Sequence, residues 1–369
     1  MTDTLATRQG RSPRELFARM LAGQTIDFAE VGIPPVATLL ARAEAEGVVA
    51  LLNQRMARMR HLPPGFEEEM AARARALAAA SLLRQAECGR ILQVLADIPV
   101  LVLKGLALGA WLYPQPYFRE SSDIDLLFSS RDDTIQAAMR LSAHGYETCF
   151  IPGELAHELL CRRSTGPMPI DLDLHWRISG MPMFFNALTF RELQEDSIQL
   201  PLPGMNARGL SPVHALTHAC IHRASNIDSG IGDRLKWLYD LHLLAERFKK
   251  GDWKELQKLC EVRKLCGIVF DGISACRKAF SSPIPNDFLS ALSAGAASES
   301  LDVSRLSDWR YIQGRNFKAL PTWSSRLRWL AHRLFPETGY LHELYGRDMD
   351  GAALWLTRSR RAMKRISGR

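Results

Sequence analysis

Two short stretches of the chain alternate acidic and aliphatic residues, and no other feature limits the fold as tightly. Ser122-Asp-Ile-Asp-Leu-Leu-Phe128 sets Asp123 and Asp125 on either side of Ile124. Ile170-Asp-Leu-Asp-Leu-His-Trp176 interleaves Asp171, Asp173 and His175 with Ile170, Leu172 and Leu174. A period of two belongs to the β-strand, where successive side chains point to opposite faces. Each stretch therefore predicts a strand with an aliphatic face for a core and a carboxylate face for chemistry.

The surroundings of these strands read differently. Pro34 and Pro35 precede VATLLARAEAEGVVALLNQRMARM, whose apolar residues recur at three- and four-residue spacing. Pro63-Pro64-Gly65 breaks that pattern, and Glu67, Glu68 and Glu69 then stand where a helix macrodipole favours negative charge. That helix should run to about Ala96. From Ile98 the period shortens: Pro99-Val-Leu-Val-Leu103 has strand length and β-branched content and ends at Lys104-Gly105. Leu106–Tyr113 and Asp132–His144 read as helices, and Gly145–Ile151 as strand-like. Ser211-Pro212 supplies a cap and a first-turn proline for a helix over Val213–Ala224, and Asp233–Lys249 is a second amphipathic helix. The expected fold class is α+β. A small mixed sheet over 98–205 lies between a helical region, 1–97, and a basic helical region, 206–369.

Composition narrows the function. Net charge is +7 over 369 residues, but 98–205 carries 8 basic against 13 acidic residues and 206–369 carries 27 against 16. An acidic segment beside a basic one suits metal-assisted chemistry on a polyanion, although solvated faces alone can produce such variation. No apolar run reaches the ~18–20 residues that span a bilayer, and MTDTLATRQGRSPREL lacks the apolar core of a secretory signal. Seven cysteines without a C-x-x-C pair argue for reduced thiols and a cytoplasmic location. The last 49 residues hold ten Arg and Lys against four acids and close on RSRRAMKRISGR, a polyanion-binding tail or a frayed, solvated terminus.

Two carboxylates at i and i+2 on a strand project side by side, so both can ligate one hard cation and reach a second. Paired Mg²⁺ ions about 3.5–4 Å apart are the usual clamp for in-line displacement at phosphorus. A third carboxylate on a neighbouring strand would complete such a site and could take the proton from an attacking hydroxyl. A glycine at a strand-to-helix turn lets backbone approach a phosphate, and the helix start then presents N–H groups to the anion.

The run LKGLALGAWLYPQPYFRESSDIDLLF, followed by IDLDLHW, resembles the DNA-polymerase-β-like nucleotidyltransferase superfamily. Within it the likeness is to a branch of bacterial uncharacterised nucleotidyltransferases that carry Lys-Gly where classical members carry Gly-Ser. The resemblance covers about 98–178, with an echo at HALTHACIHRAS and RLKWLYDLHLLAE. It implies transfer of a nucleoside monophosphate from an NTP, ATP among them, to a hydroxyl or phosphate acceptor, with Mg²⁺ or Mn²⁺. Asp123 and Asp125 would be catalytic metal ligands and Asp173 the third acid, with Asp171 its rival on the same face. Gly105 would make the phosphate turn, Ser122 would position the metal strand, and Lys104 and Arg119 would contact the triphosphate. The residues allow other roles: Lys104 could snorkel to solvent, and Arg119 could pair with Glu120 or an aspartate.

The chain departs from the classical pattern at Leu106, where a phosphate-binding Ser would stand, and in the length from Gly105 to Asp123. A second reading follows, in which the fold is kept but the site is degenerate and the protein is a binding or antitoxin-like component. A nucleotide-sugar glycosyltransferase would need a sugar-nucleotide domain ahead of Asp-x-Asp, where this chain reads as helical. In the basic region, Arg234 and Lys236 could grip phosphates, or Lys236 could simply pair with Asp240 one turn on. His214, His218 and His222 recur every four residues without a His-Glu-x-x-His pattern and read as a polar stripe or ordinary packing. His175 could ligate, orient or hold structure. Leu235, Trp237, Leu238, Leu241 and Leu244 read as core. Nucleic acid as acceptor is allowed by the basic segment but not favoured, since no basic–aromatic alternation accompanies it.

Overall fold

The computed structural model describes residues 12–334 apart from 32, 33, 149 and 203, together with 353, 355, 356 and 359. The basic ending at 358–369 lies outside the described residues except for position 359.

The sheet has seven strands: β1 (Val100–Val102), β2 (Asp123–Phe128), β3 (Glu147–Thr148), β4 (Glu158–Arg163), β5 (Ile170–His175), β6 (Ile198–Gln199) and β7 (Arg208–Gly209). Their order is β3-β4-β5-β2-β1-β7-β6. It is a mixed sheet: β2 runs parallel to β5, β1 parallel to β7, and the other neighbours are antiparallel. The alternation in sequence appears in space. Ile124, Leu126, Phe128, Ile170, Leu172 and Leu174 all enter one buried cluster, while the acids take the opposite face. A one-residue slip of either strand would turn its carboxylates into that cluster, which fixes the β2–β5 register.

Helices cover both faces. The aliphatic side packs on Cys88 and Ile91 of the long α4 (Phe66–Val94) and on Ala137 and Leu141 of α6 (Arg131–Ser142). On the other side, Leu101, Leu103 and Leu127 join a larger core that holds residues from both helical regions. It takes Leu16, Phe17 and Leu21 from α1 (Pro13–Leu21), Leu39 and Ala43 from α2 (Val36–Glu46), and Leu51 and Leu52 from α3 (Val49–Gln54). It also takes Leu216 and Cys220 from α7 (Pro212–Ala224), Leu238 and Leu241 from α8 (Leu235–Arg247), and Val269 and Ile273 from α10 (Cys266–Phe280), beyond α9 (Lys250–Arg263). α5 (Lys104–Leu112) follows β1 directly.

The described residues of the N-terminal region are mainly helical, and Ile26–Asp27 pairs in parallel with Met59–Arg60. Two of its residues hydrogen-bond to the later regions of the chain. The buried Glu46 accepts the Leu235 N–H that opens α8 (2.8 Å) and is ion-paired with Arg14 and Arg42. The Ala50 N–H, in the first turn of α3, donates to Glu120 (3.0 Å). No described helix is long and apolar enough to cross a membrane.

Candidate active site

β2 and β5 are adjacent and parallel, so their acids align rung by rung: Asp123 opposite Asp171 and Asp125 opposite Asp173. The four do not share one environment. Asp171 forms a bidentate ion pair with Arg162 (2.6 and 2.9 Å) and lies outside the cavity, whereas Asp173 lines it. Asp125 is 3% exposed. Asp173 accepts no hydrogen bond among the described residues, and its carboxyl is pushed up to about 8 by burial and then by the charges of Asp125, Glu158 and Asp123. Asp123 is held by both preceding serines, Ser121 Oγ donating to Oδ1 (2.9 Å) and Ser122 Oγ to Oδ2 (3.2 Å).

Above this face opens a cavity of about 470 Å³, within the range of small-molecule sites. Lys104 enters it from the first position of α5. Its Nζ donates to Asp125 Oδ1 at 2.6 Å and lies 3.3 Å from His175 Nε2. Burial opposes the ammonium charge, but Asp125 beside it outweighs this and holds the lysine above its ordinary pKa. The expected phosphate turn at Gly105 differs in detail. The left-handed residue is Lys104 (φ 47°), while Gly105 is needed because a Cβ there would lie 2.5 Å from Ser121 Oγ. The glycine thus lets α5 close on the serine that orients Asp123.

Arg119 also lines the cavity, but its Nε is given to Asp240 (2.8 and 2.9 Å), both groups buried. Tyr113 donates to the same carboxylate at 2.7 Å. The carboxylate expected beside Lys236 is thereby taken by Arg119, and Lys236 makes no ion pair among the described residues. Lys236 lines the cavity with its amine pushed down to about 8, by burial and then by the Arg119 charge. Leu235, Leu238, Leu241 and Leu244 of the same helix are in the core, while Trp237, half-buried, lies in the cavity wall. His222 packs edge-on against it at 4.6 Å and Arg234 lies over its ring. The histidine stripe splits: His218 and His222 line the cavity, both kept neutral by burial and the Lys104 charge, and His214 turns to Ser211 and Asp196.

Residues 35–281 match the model of a family described as "Uncharacterised nucleotidyltransferase". The chain belongs to this nucleotidyltransferase family. The match spans the whole Lys104–Asp240 constellation and the helices on both sides of it. The chain matches no curated protein. Among solved structures this nucleotidyltransferase-family chain is similar to an antigenic nucleotidyltransferase-like protein from Paracoccidioides brasiliensis, at 14% identity over 55% of this chain and 92% of that one, TM-score 0.32. It is likewise similar to MenT4, a nucleotidyltransferase toxin from Mycobacterium tuberculosis H37Rv, at 13% identity over 67% and 95%, TM-score 0.34.

Four contributors had not been expected. Glu158 opens β4 opposite His175 and is pulled down to about 2: burial opposes its charge, but His157, His175 and Lys104 prevail. His157 precedes it at the cavity wall. Ser121 is the better-placed of the two serines. Arg84, on α4 and 7% exposed, lies beside Asp123 in a small cleft and makes no ion pair or hydrogen bond among the described residues. Burial lowers its pKa, partly offset by Asp123 and Asp171.

Proposed function

We propose that this family member transfers a nucleoside monophosphate from an NTP to a hydroxyl or phosphate acceptor, with Mg²⁺ or Mn²⁺ held by Asp123, Asp125 and Asp173. The reading is carried by one observation: Asp125 and Asp173 face each other in register at the wall of a cavity of nucleotide size, with Asp123 one step along the strand. The donor set fits a hard divalent cation. All three side chains offer oxygen, and the high proton affinity of Asp173 marks a carboxylate cluster short of positive charge. When bound, such an ion neutralises charge on the phosphate oxygens and lowers the barrier to displacement.

The chain's own residues divide the remaining work. Lys104 and Lys236, both lining the cavity, provide ammonium groups for the triphosphate. Arg119 is a positioning residue: tied to Asp240, it fixes the segment that leads through Ser121 and Ser122 into Asp123. Asp173, ionised when a cation is held beside it, takes the proton from the acceptor hydroxyl. The acceptor is a small molecule, a protein side chain or a nucleic-acid end, the last least favoured. We assign the core of the activity to 98–205 and its flanking support to 1–97 and 206–369. We place it in the cytoplasm, as suits seven cysteines without a C-x-x-C pair.

The test is to incubate the protein with each labelled NTP, Mg²⁺ and a cell extract, and to follow the label. Transfer should occur with the wild type and vanish with Asp123→Asn and Asp125→Asn. Normal turnover by the double variant would sink the reading. The Lys104 ammonium on Asp125 favours a second reading, a binding protein whose fixed lysine stands in for the metal. Native-state ligands must raise stability. A thermal-shift series showing no stabilisation by any NTP with Mg²⁺ or Mn²⁺ would select it.

A further inference from the structure

Beside the aspartates lies a second cluster of different chemistry. His157, Glu158 and His175 each place one ligand-type atom within 4.8 Å of the other two. Glu158 Oε2 is 3.1 Å from His157 Nε2 and 3.2 Å from His175 Nδ1. A tetrahedral ion with bonds of about 2.0–2.1 Å separates its ligand atoms by roughly 3.3–3.4 Å, and both Glu158 contacts are already near that spacing.

His175 supplies the independent sign. The ring is 2% exposed, and its Nδ1 is buried with no hydrogen-bond partner among the described residues. Its Nε2 lies 2.9 Å from Asp125 Oδ1, a carboxylate oxygen, which accepts. Lys104 Nζ is farther from that nitrogen, 3.3 Å, and gives its short bond to Asp125 instead. Nε2 therefore carries the proton, and Nδ1 is a bare lone pair facing the oxygen of Glu158. A buried lone pair 3.2 Å from a carboxylate oxygen, on a side chain still 26% exposed, is unfavourable unless a cation sits between them. A histidine that ligates through one nitrogen and donates from the other to a carboxylate is the usual outer-shell arrangement of a metal site.

We propose that His157, Glu158 and His175 form a separate site for a zinc-class divalent ion, with an open position towards the cavity. Two imidazoles and one carboxylate select for Zn²⁺ and its borderline relatives over Mg²⁺, which prefers oxygen alone. The fold builds the site locally. Glu158 and His175 are directly opposed across β4 and β5, and Gly180 backs the His157 ring so closely that a Cβ would meet Cε1 at 2.9 Å. All three residues line the cavity alongside Asp173, so the open position is reachable from it. The site stands whether or not the aspartates bind magnesium.

The test uses the full chain stripped with EDTA and titrated with Co²⁺ by visible absorption, then with Zn²⁺ in competition with a chromophoric chelator. One equivalent of Co²⁺ should give the intense d–d bands of a four- or five-coordinate site, and Zn²⁺ should displace it. His157→Gln and Glu158→Gln should weaken Zn²⁺ by more than about tenfold. His157→Cys, which restores a zinc ligand, should regain most of the affinity, and Asp123→Asn should leave it unchanged. Circular dichroism checks that each variant folds. Three results would overturn the proposal: no stoichiometric uptake of Co²⁺ or Zn²⁺, uptake that survives both Gln substitutions, or uptake lost with Asp123→Asn. Magnesium-dependent NMP transfer can fail while zinc uptake persists, so the two readings fall separately.

Discussion

Asp240→Ala tests how the cavity wall is held. In the folded chain Asp240 accepts from Arg119 Nε and from Tyr113, with both ionic side chains almost wholly buried. Burial works against the Arg119 charge, and Asp240 more than compensates, holding the guanidinium above its ordinary pKa. Removing one partner of such a pair costs about 3–5 kcal/mol, because the other is left buried and uncompensated. The orphaned Tyr113 hydroxyl would alone cost about 1–3 kcal/mol. The two penalties share an acceptor and do not add, so the expected loss is about 3–5 kcal/mol. Urea unfolding followed by far-UV circular dichroism measures it. The triple variant Arg119→Met, Asp240→Leu, Tyr113→Phe removes every charge and should recover at least half of the loss. A single-variant loss below about 1 kcal/mol, or a triple variant no more stable than the single, would refute this account of the wall.

Other consequences are equally measurable. Asp173 keeps its proton to about 8 in the folded chain but gives it up near 3.8 when unfolded. The folded state therefore binds more protons between those values, and metal-free stability falls as pH rises through that window, levelling above 8. Asp173→Asn should then be more stable than wild type at pH 8.5, with the gap closing towards pH 4; a pH-independent difference in urea midpoint would contradict the assignment. Gly105→Ala drives a methyl to 2.5 Å from Ser121 Oγ, so it should cost about 1–3 kcal/mol and loosen Asp123. Its kcat should drop further than its stability explains, which single-turnover NMP transfer on thermally matched samples would show.

Sequence alone carried the sheet and its acids because the period of two is a local property: wherever Asp125 and Asp173 go, their aliphatic neighbours must be buried on the other face. The preference for Asp173 over Asp171 comes from the resemblance, in which the third acid precedes Leu-His-Trp; in space Arg162 engages Asp171 and Asp173 lines the cavity. The rest depends on partners far apart in the chain. Asp240 lies 121 residues from Arg119, and no local pattern announces that pairing. Glu158 opens a six-residue strand, ELLCRR, whose sequence lacks a period of two, so nothing local marks it. Lys104 adopts a left-handed backbone that favours glycine, so Lys-Gly reads more naturally with the turn at Gly105. Trp237 falls between Leu241 and Leu244 on the helical wheel of α8, so periodicity reads it as core although it lines the cavity.

The hydrogen bond from Leu235 N–H to Glu46 ties two ends of a long detour, 189 residues of chain, to a single carboxylate. Helix starts leave their first amides without internal acceptors, and here a residue from a remote segment fills one of those vacancies. Lys236 is the very next residue, so the aim of its ammonium is set by a part of the protein that contributes no acid to the reaction centre. Cutting the chain after residue 46, or neutralising Glu46, would therefore untie this wall of the cavity without altering any residue that lines it. Mutational maps of this protein should show sensitive positions near its beginning that behave like hinge pins.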